Sequence, residues 1–333
     1  MNWLRLVAAS LAALCCVLPF VERAADTRQA GRDAPPYASD KPLATPALFA
    51  EGVISTGDYD SHPAFTPDGR TLYFLKSTPD FNFWTIAVSR FAGGRWGAPE
   101  VAPFSGRYSD ADPFVTADGS RLYFISNRPA PGKAKRDLDI WVTERTADGW
   151  GEPKNLGAPV NSDGNEWYPT LTSDGTLYFG SDRAGGRGRT DIYRARLSGG
   201  KYGEPENLGE AVNTQFNEFE AYVSPDERFI IFMSGGRADG LGGFDLYVSH
   251  LRQGAWTKAV NLGAPVNSAA NELSPVIAPG GKYFFWTSTR GFAGEQHERP
   301  LTYGELERRL RGPRNGGLGD IYQIDLGALN LER

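Results

Sequence analysis

The sequence predicts an all-β fold, a β-propeller built from five blades of four antiparallel strands. One pattern of 50 to 56 residues recurs five times along the chain, and each copy reads as four short strands with nothing helical between them. The two ends of the chain also look like parts of one divided blade. Units of this kind bury their faces against neighbouring copies, as blades arranged around an axis do.

The repeat is defined by a turn that follows the first strand of each copy. The turn residues are Asp68, Asp118, Asp174, Asp226 and Gly280, with successive spacings of 50, 56, 52 and 54 residues. The last three copies share the short motifs Asn-Leu-Gly, Val-Asn-Ser/Thr and Asn-Glu. Because Asn and Gly tolerate tight turns, we expect these motifs to form the turn that connects the outer strand of one blade to the innermost strand of the next.

The third copy shows how one unit divides into strands. "YPTLT" ends at a Ser-Asp-Gly turn, "TLYFGS" returns, "DIYRARL" follows a Gly-rich loop, and "GEPENLG" follows a Gly-Gly turn. An aromatic residue recurs after the outer hairpin turn of four copies, and its expected role is packing between blades. These residues are Trp96, Trp150, Tyr202 and Trp256.

The chain ends predict how the ring closes. The fifth copy stops after its third strand, "DIYQIDL", and the residues before the first copy, "PALFAEGVIST", read like the fourth strand of a blade. An N-terminal strand that completes the fifth blade would remove the exposed sheet edge. The prediction is five blades, with six the less favoured count.

The N-terminal segment has the pattern of an export signal. One early positive charge, Arg5, precedes an apolar run from Leu6 to Val21, and both cysteines, Cys15 and Cys16, lie inside it. The predicted organisation is a signal peptide at 1–25, a linker at 26–46, a propeller at 47–327 with an inserted loop and short helix at 291–317, and a tail at 328–333. The expected location is periplasmic or secreted, with a lipoprotein less favoured because Leu14 stands where a small residue is needed.

One acid recurs near the start of the first strand in every copy, and a ring of five carboxylates could bind a cation at the channel face. The stronger interpretation is a structural ion network, because buried carboxylates need partners. The acids are Asp60, Asp110, Glu166, Glu218 and Glu272. The expected partners are Arg128, Arg183, Arg237 and Arg290 after the second strands, with Asp139, Asp191, Asp245 and Asp320 opening the third strands.

Two departures from the repeat predict the functional region. In the first copy no arginine follows the second strand and Asn82 stands where a third-strand aspartate is expected, so Asp60, near His62, should lack its partners. In the fifth copy the loop between second and third strands swells and contains His297, a capping-box sequence and the basic residues Arg308 and Arg309. The candidate binding residues are Asp60, His62, Asn82, His297, Arg308 and Arg309.

The strings "TPDGRTLYF", "TADGSRLYF", "TSDGTLYF" and "SPDERFIIF", each followed by a Gly-rich loop and Asp-Ile-Tyr or a variant, resemble the TolB-like, WD-repeat-like propeller family. The Asn-Leu-Gly and Asn-Glu elements are similar to propeller modules of OmpA-family envelope proteins. The resemblance covers roughly residues 47 to 327 and implies an extracytoplasmic bacterial protein that binds other proteins. No segment of this sequence resembles the OmpA-like domain or the TolB N-terminal domain, so the resemblance implies neither specific role.

The main functional expectation is therefore a non-catalytic binding module of the cell envelope whose partner is an envelope protein or peptide. The net charge of −5 argues against nucleic acid as a partner, and a monomer without cofactor or membrane span in the mature chain is expected. The alternative is a propeller hydrolase or a metal-dependent glycan-binding protein with a site between the first and fifth blades. That site would use His62, His297 and Asp60, with Glu295 or Glu298.

The sequence makes glycosidase activity a less favoured interpretation, because the acids recur at the same position in every copy, whereas a catalytic pair of acids should break the repeat. Ser61 and His62 also lie beside an acid in "GDYDSH". Sequence neighbours on an extended strand are not expected to face one another as a catalytic triad requires.

Overall fold

Five antiparallel sheets follow one another along the chain. Their strands pair in sequence order from the innermost outward, except that the outer strand of the fifth sheet comes from the N-terminal part of the chain. The computed structural model describes residues 35–130, 137–292, 296–315, 317–329 and 331, so the predicted signal peptide with both cysteines lies outside the described residues. The predicted five-bladed, all-β propeller is confirmed.

The strands occupy equivalent places in all five blades. The innermost strands are Tyr59–Phe65, Asp110–Val115, Glu166–Leu171, Asn217–Val223 and Glu272–Ile277. The second strands are Thr71–Ser77, Arg121–Ser126, Leu177–Ser181, Phe229–Gly235 and Tyr283–Ser288. The third strands are Trp84–Ala92, Asp139–Thr146, Asp191–Ala195, Phe244–Arg252 and Asp320–Asp325. The outer strands are Glu100–Val101, Lys154–Asn155, Glu206–Asn207, Val260–Asn261 and, in the fifth blade, Ala47–Leu48.

The ring closes through its N-terminal strand, as the sequence predicts. Ala47 pairs with Gln323 and Leu48 pairs with Tyr322, so the first strand of the described chain is the outer strand of the last blade. The Phe49 amide donates to the Ile321 carbonyl at 2.9 Å and continues this pairing. Residues 37–43, part of the predicted linker, also contact the fifth blade, since the Tyr37 hydroxyl donates to the Pro279 carbonyl.

Short hairpins extend the third strands at the rim of four blades. Their strands are Arg95–Trp96, Gly149–Trp150, Leu197–Ser198 with Lys201–Tyr202, and Ala255–Trp256. The aromatic residue of each hairpin leans on the preceding blade: the Trp150 indole donates to the Tyr73 hydroxyl at 2.7 Å, and Trp256 packs edge-on against Tyr178. These side chains are part of the apolar clusters that hold neighbouring blades together.

The repeated asparagines hold the crossings between blades. Asn161 is buried, accepts from the Ile140 amide and donates to the Ile140 carbonyl, which also accepts from the Leu156 amide. It also donates to the Asn155 side chain, which in turn donates to Asp139. The same bonds recur in the next two crossings. Side-chain amides can supply both a donor and an acceptor, which explains why asparagine recurs here.

Each innermost strand contains a β-bulge two residues after its repeated acid, where the pairing register shifts. The bulged residue has a left-handed backbone conformation with φ between 50° and 54°. That conformation costs a residue other than glycine roughly 1–3 kcal/mol, so the surrounding structure has to enforce it. The five residues are His62, Asp112, Tyr168, Glu220 and Ser274.

The insertion in the fifth blade contains helix α1, Tyr303–Arg311, with Thr302 and Glu305 forming a capping box. The insertion contacts the first blade closely. A methyl group added at Gly57 would clash with the Arg311 carbonyl oxygen, and the Asn315 side chain donates to the Gly57 carbonyl at 3.1 Å. In the described part of the chain, no helix has the length and apolar character needed to cross a membrane.

Candidate functional site

The five repeated acids are fully buried, and a basic side chain contacts each of them. The nitrogen-to-oxygen distances are 2.7 Å for Lys76–Asp60, 2.7 Å for Arg128–Asp110, 3.1 Å for Arg183–Glu166, 3.2 Å for Arg237–Glu218 and 3.2 Å for Arg290–Glu272. Serine and threonine hydroxyls add further donors. Burial raises the pKa of Glu166 to about 7, against the opposing effects of Ser162 and Arg183. Pairing of this kind gives these acids a structural role.

The first blade departs from the repeat in a different way from the sequence interpretation. Asp60 does have a partner, because Lys76 stands opposite it where the other blades have serine, and its amine reaches the carboxylate. Asn82 does not take the place of the third-strand aspartate. That place belongs to Thr85, which pairs with Lys76, while Asn82 lies in an exposed turn and bonds to Asp80 and Thr78.

The third-strand aspartates contact asparagine and backbone groups. Asn155, Asn207 and Asn261 donate to Asp139, Asp191 and Asp245 at 2.8, 2.7 and 2.8 Å. In the fifth blade Leu48 occupies the corresponding outer-strand position, and Asp320 accepts from the Arg314 amide at 2.6 Å. Burial raises the pKa of Asp320 to about 7.

The candidate binding residues predicted from the sequence are spread over several places. Asp60 bonds to Lys76 and Thr56, His62 faces the axis, and His297 is exposed in the insertion. Arg308 lies in the last turn of helix α1, and the Arg309 guanidinium lies 4.3 Å from the centre of the Phe292 ring.

At the axis, the bulged residues form a cluster that joins blades across the centre of the ring. The His62 Nε2 atom lies 3.1 Å from Asp112 Oδ1 and 3.2 Å from Glu220 Oε1. The Tyr168 hydroxyl donates to the Pro275 carbonyl at 3.0 Å. His62 and Glu220 belong to the first and fourth blades, and Tyr168 and Pro275 to the third and fifth. Blades that are not neighbours can meet only at the centre, so these side chains lie on the axis.

Each carboxylate uses one oxygen to bind the neighbouring blade and the other to face His62. Asp112 Oδ2 accepts from the Tyr168 amide at 2.8 Å. Glu220 Oε2 accepts from the Ser274 amide at 2.6 Å and from the Ser274 hydroxyl at 3.0 Å. These backbone donors come from other bulged residues, so the bulges fix the positions of both carboxylates.

Burial and mutual charge set the protonation of this axial cluster, whose His62, Asp112 and Glu220 side chains are at most 9% exposed. Burial disfavours a charged imidazole, but the carboxylates of Glu220 and Asp112 outweigh it and raise the pKa of His62. Burial raises the pKa of Asp112 to about 6, although the nearby His62 charge opposes it. An acid with such a pKa can hold or release a proton near neutral pH.

The bulge also corrects the expectation for Ser61 and His62. The Ser61 hydroxyl lies 2.7 Å from His62 Nδ1, so these sequence neighbours do face one another. Ser61 is fully buried, however, and its contact fixes the orientation of the imidazole rather than presenting a hydroxyl to solvent.

Sequence reasoning missed the axial cluster because it followed the positions that repeat. The signal was available two residues after each repeated acid, where the five copies carry His, Asp, Tyr, Glu and Ser. The repeat is regular on both sides of this position, yet each copy carries a different polar residue there. Such variation indicates that the blade fold does not require a particular residue at this position. In the described ranges, no group of three or more His, Cys, Asp or Glu side chains is arranged to hold a metal ion.

The sequence matches no protein-family model and no curated protein. Solved structures with a similar fold include the α-L-arabinofuranosidase from Lactobacillus brevis, at 13% identity, with 83% of this chain and 92% of that chain covered and a TM-score of 0.49. The GH43 endo-arabinanase from Bacillus licheniformis matches at 10% identity, with coverages of 80% and 94% and a TM-score of 0.46. The Kuenenia stuttgartiensis hydrazine synthase matches at 12% identity, with coverages of 81% and 41% and a TM-score of 0.48.

These findings correct the main functional expectation from the sequence, a non-catalytic binding module. Several of the similar structures are glycoside hydrolases, the class of enzyme named in the alternative expectation, a propeller hydrolase. At identities of 10–13% and TM-scores below 0.5, these likenesses carry no argument about the activity of this chain. An activity for this chain has to rest on its own side chains.

Proposed function

We propose that the chain is a hydrolase that cleaves glycosidic bonds at the propeller axis, with Asp112 and Glu220 as the reacting carboxylates. The observation that carries this proposal is the axial cluster itself. Asp112 and Glu220 break the repeat, whereas the five repeated acids follow it and have basic partners. A buried pair of acids in unlike surroundings is the arrangement that glycosidic cleavage requires.

The spacing of the pair favours a double-displacement reaction with retention of configuration. Asp112 Oδ1 and Glu220 Oε1 lie 3.1 and 3.2 Å from the same His62 nitrogen, so their separation cannot exceed the sum of these two distances. That limit, which holds for the two oxygens that face His62, lies just below the roughly 6.5 Å at which the separation of inverting pairs begins.

The surroundings of the two acids assign their roles. Asp112, with a pKa raised to about 6, donates its proton to the glycosidic oxygen as the bond to the leaving group breaks. Glu220, held by two donors from Ser274, attacks the anomeric carbon and forms a glycosyl ester. Water then cleaves that ester and returns a proton to Asp112. His62 Nε2 donates a hydrogen bond to whichever of the two carboxylates is ionised.

Half-buried aromatic rings support a sugar as the ligand. Trp167 and Phe219 follow the repeated acids of the third and fourth blades, directly before the bulged Tyr168 and Glu220, and their ring centres lie 6.2 Å apart. Aromatic faces offer apolar area beside the polar groups that a sugar ring presents.

The test is hydrolysis of a panel of 4-nitrophenyl glycosides and polysaccharides, starting with α-L-arabinofuranosides, β-xylosides and arabinan. We expect the wild type to hydrolyse at least one substrate and Asp112→Asn and Glu220→Gln each to lower kcat by at least about 10²-fold. Glu100→Gln, an exposed acid paired with Arg90, is the matched control and should leave kcat unchanged. A folded wild type that cleaves no member of the panel would contradict the proposal, as would axial variants as active as the control.

We also propose that the repeats place the chain with the TolB-like, WD-repeat-like propellers and that the protein is exported. The TPDG-type turns and their Gly-rich loops support the first proposal, and the charge and apolar run of the N-terminal segment support the second. The segment bounds 1–25, 26–46, 47–327 and 328–333 stay predictions. N-terminal sequencing of the protein recovered from cell fractions would test both the cleavage site and the location.

A further inference from the structure

The rim of the third blade breaks the packing used by the other hairpins. The hairpin aromatic is tryptophan in the first, second and fourth blades, and Trp150 and Trp256 both contact the second-strand tyrosine of the preceding blade. The third blade has Tyr202 at the equivalent position, where it pairs with Leu197. A phenol ring is smaller than an indole and fills less of the gap between blades.

A cavity of about 380 Å³ lies at this place, between the second and third blades. Val142, Leu156 and Leu197 form apolar walls, and Tyr123 and Tyr202 supply aromatic faces. Pockets that bind small molecules have volumes of roughly 300–1,000 Å³ and mainly apolar walls. The cavity is therefore large enough for a single ring with a short substituent.

The polar groups of the cavity indicate the charge of its ligand. Arg121 and Lys201 stand at its rim with exposed side chains. The one acid beside them, Glu144, lies 3.9 Å from Arg121 Nε but only 3.0 Å from Lys154 Nζ, so Lys154 holds it more closely. The Tyr202 hydroxyl is buried near the Tyr123 hydroxyl but makes no hydrogen bond of good geometry among the described residues. A buried hydroxyl in this state can accept or donate a bond to a ligand.

We propose that this cavity between the second and third blades binds a small carboxylate that carries a planar apolar ring. The ring occupies the space that tryptophan fills in the other hairpins, and the carboxylate meets Arg121 at the rim, with Lys201 adding positive charge. Guanidinium groups suit carboxylates because they offer paired donors in one plane. The site lies at the rim of the second and third blades, and none of its lining residues belongs to the axial cluster.

The probe is 3-phenylpropionate, compared with the uncharged 3-phenylpropionamide by calorimetric titration of the full chain. The wild type should bind the carboxylate at least fivefold more tightly than the amide. Arg121→Gln should remove that preference, while Arg90→Gln, the same change at the rim of the first blade, should preserve it. Tyr202→Trp should abolish binding of both compounds because the indole fills the cavity.

A second variant, Leu197→Phe, narrows the cavity at the residue that pairs with Tyr202 and keeps the test valid where Tyr202→Trp lowers stability. Three results would overturn the proposal: no binding of either probe to the folded wild type, equal affinity for acid and amide, or binding unchanged in both cavity-filling variants. Because none of these readouts uses hydrolysis, their failure would leave the proposed axial reaction untouched.

Discussion

Replacing Lys76 with methionine removes the only basic side chain that the described structure places against Asp60. Asp60 is fully buried, and its Oδ1 atom lies 2.7 Å from the Lys76 amine. Methionine keeps the length of the side chain but cannot donate to a carboxylate. The variant therefore tests whether the repeated acids are structural ion pairs.

The size of the effect follows from the burial of this pair. Breaking a buried ion pair by removing one partner costs about 3–5 kcal/mol. Lys76 is 28% exposed and Thr56 still donates twice to Asp60, so we expect the lower end, about 3 kcal/mol. At roughly 2–4 °C per kcal/mol, the melting temperature should fall by roughly 6–12 °C.

The loss of stability in Lys76→Met should depend on pH. Burial already raises the pKa of Asp60, with Lys76 opposing the rise, and the variant loses that opposition. An acid whose pKa is higher in the folded state than in the unfolded state destabilises the fold progressively as pH rises through that interval. The deficit should therefore be largest at neutral pH and shrink on acidification.

The assay is urea unfolding of wild type and variant at pH 7 and pH 5. Arg90→Met breaks an exposed pair with Glu100 and should cost no more than about 1 kcal/mol. The double variant Lys76→Met/Asp60→Asn should recover much of the lost stability. The reasoning would be refuted if Lys76→Met lost as little unfolding free energy as Arg90→Met, or if its loss were the same at both pH values.

The remaining predictions concern single side chains. Asn161→Ala should lower the free energy of unfolding by about 1–3 kcal/mol, since it leaves the Ile140 amide without its acceptor while the Ile140 carbonyl keeps its bond from the Leu156 amide; urea unfolding measures this, and a loss below about 0.5 kcal/mol would contradict it. Burial raises the pKa of Asp320 to about 7, so Asp320→Asn should raise the melting temperature more at pH 8 than at pH 5; a gain independent of pH would count against it. Tyr168→Phe should cost about 1 kcal/mol through its lost bond to Pro275, and an unchanged urea midpoint would show that this bond across the axis contributes nothing.

Most of the architecture could be predicted because it repeats. Turn residues, alternating strands and recurrent asparagines each appear in several copies, and the split blade is visible at the two chain ends. Strand closure through Ala47–Leu48 follows from the same logic, since an unpaired sheet edge is unfavourable.

The axial cluster could not be predicted in the same way, because it depends on β-bulges with a left-handed backbone conformation, which no residue type in these strands indicates. The bulges turn His62 and Asp112 toward the axis although neither is a glycine. Contacts between His62 and Glu220 join positions 158 residues apart. The sequence did not reveal Lys76 as the partner of Asp60, because the other blades place their arginine after the second strand. Lys76 lies within the second strand, where the other blades have serine, and its long side chain reaches Asp60 from there.

The most direct test of the central claim is a proton NMR time course of hydrolysis by the wild type and by Asp112→Asn, on the substrate that the panel identifies. The account predicts that the first sugar released by the wild type keeps the anomeric configuration of the substrate and that the variant releases it at least about 10²-fold more slowly. Equal rates for both proteins, or an inverted first product, would contradict a reaction carried out by Asp112 and Glu220 at the axis.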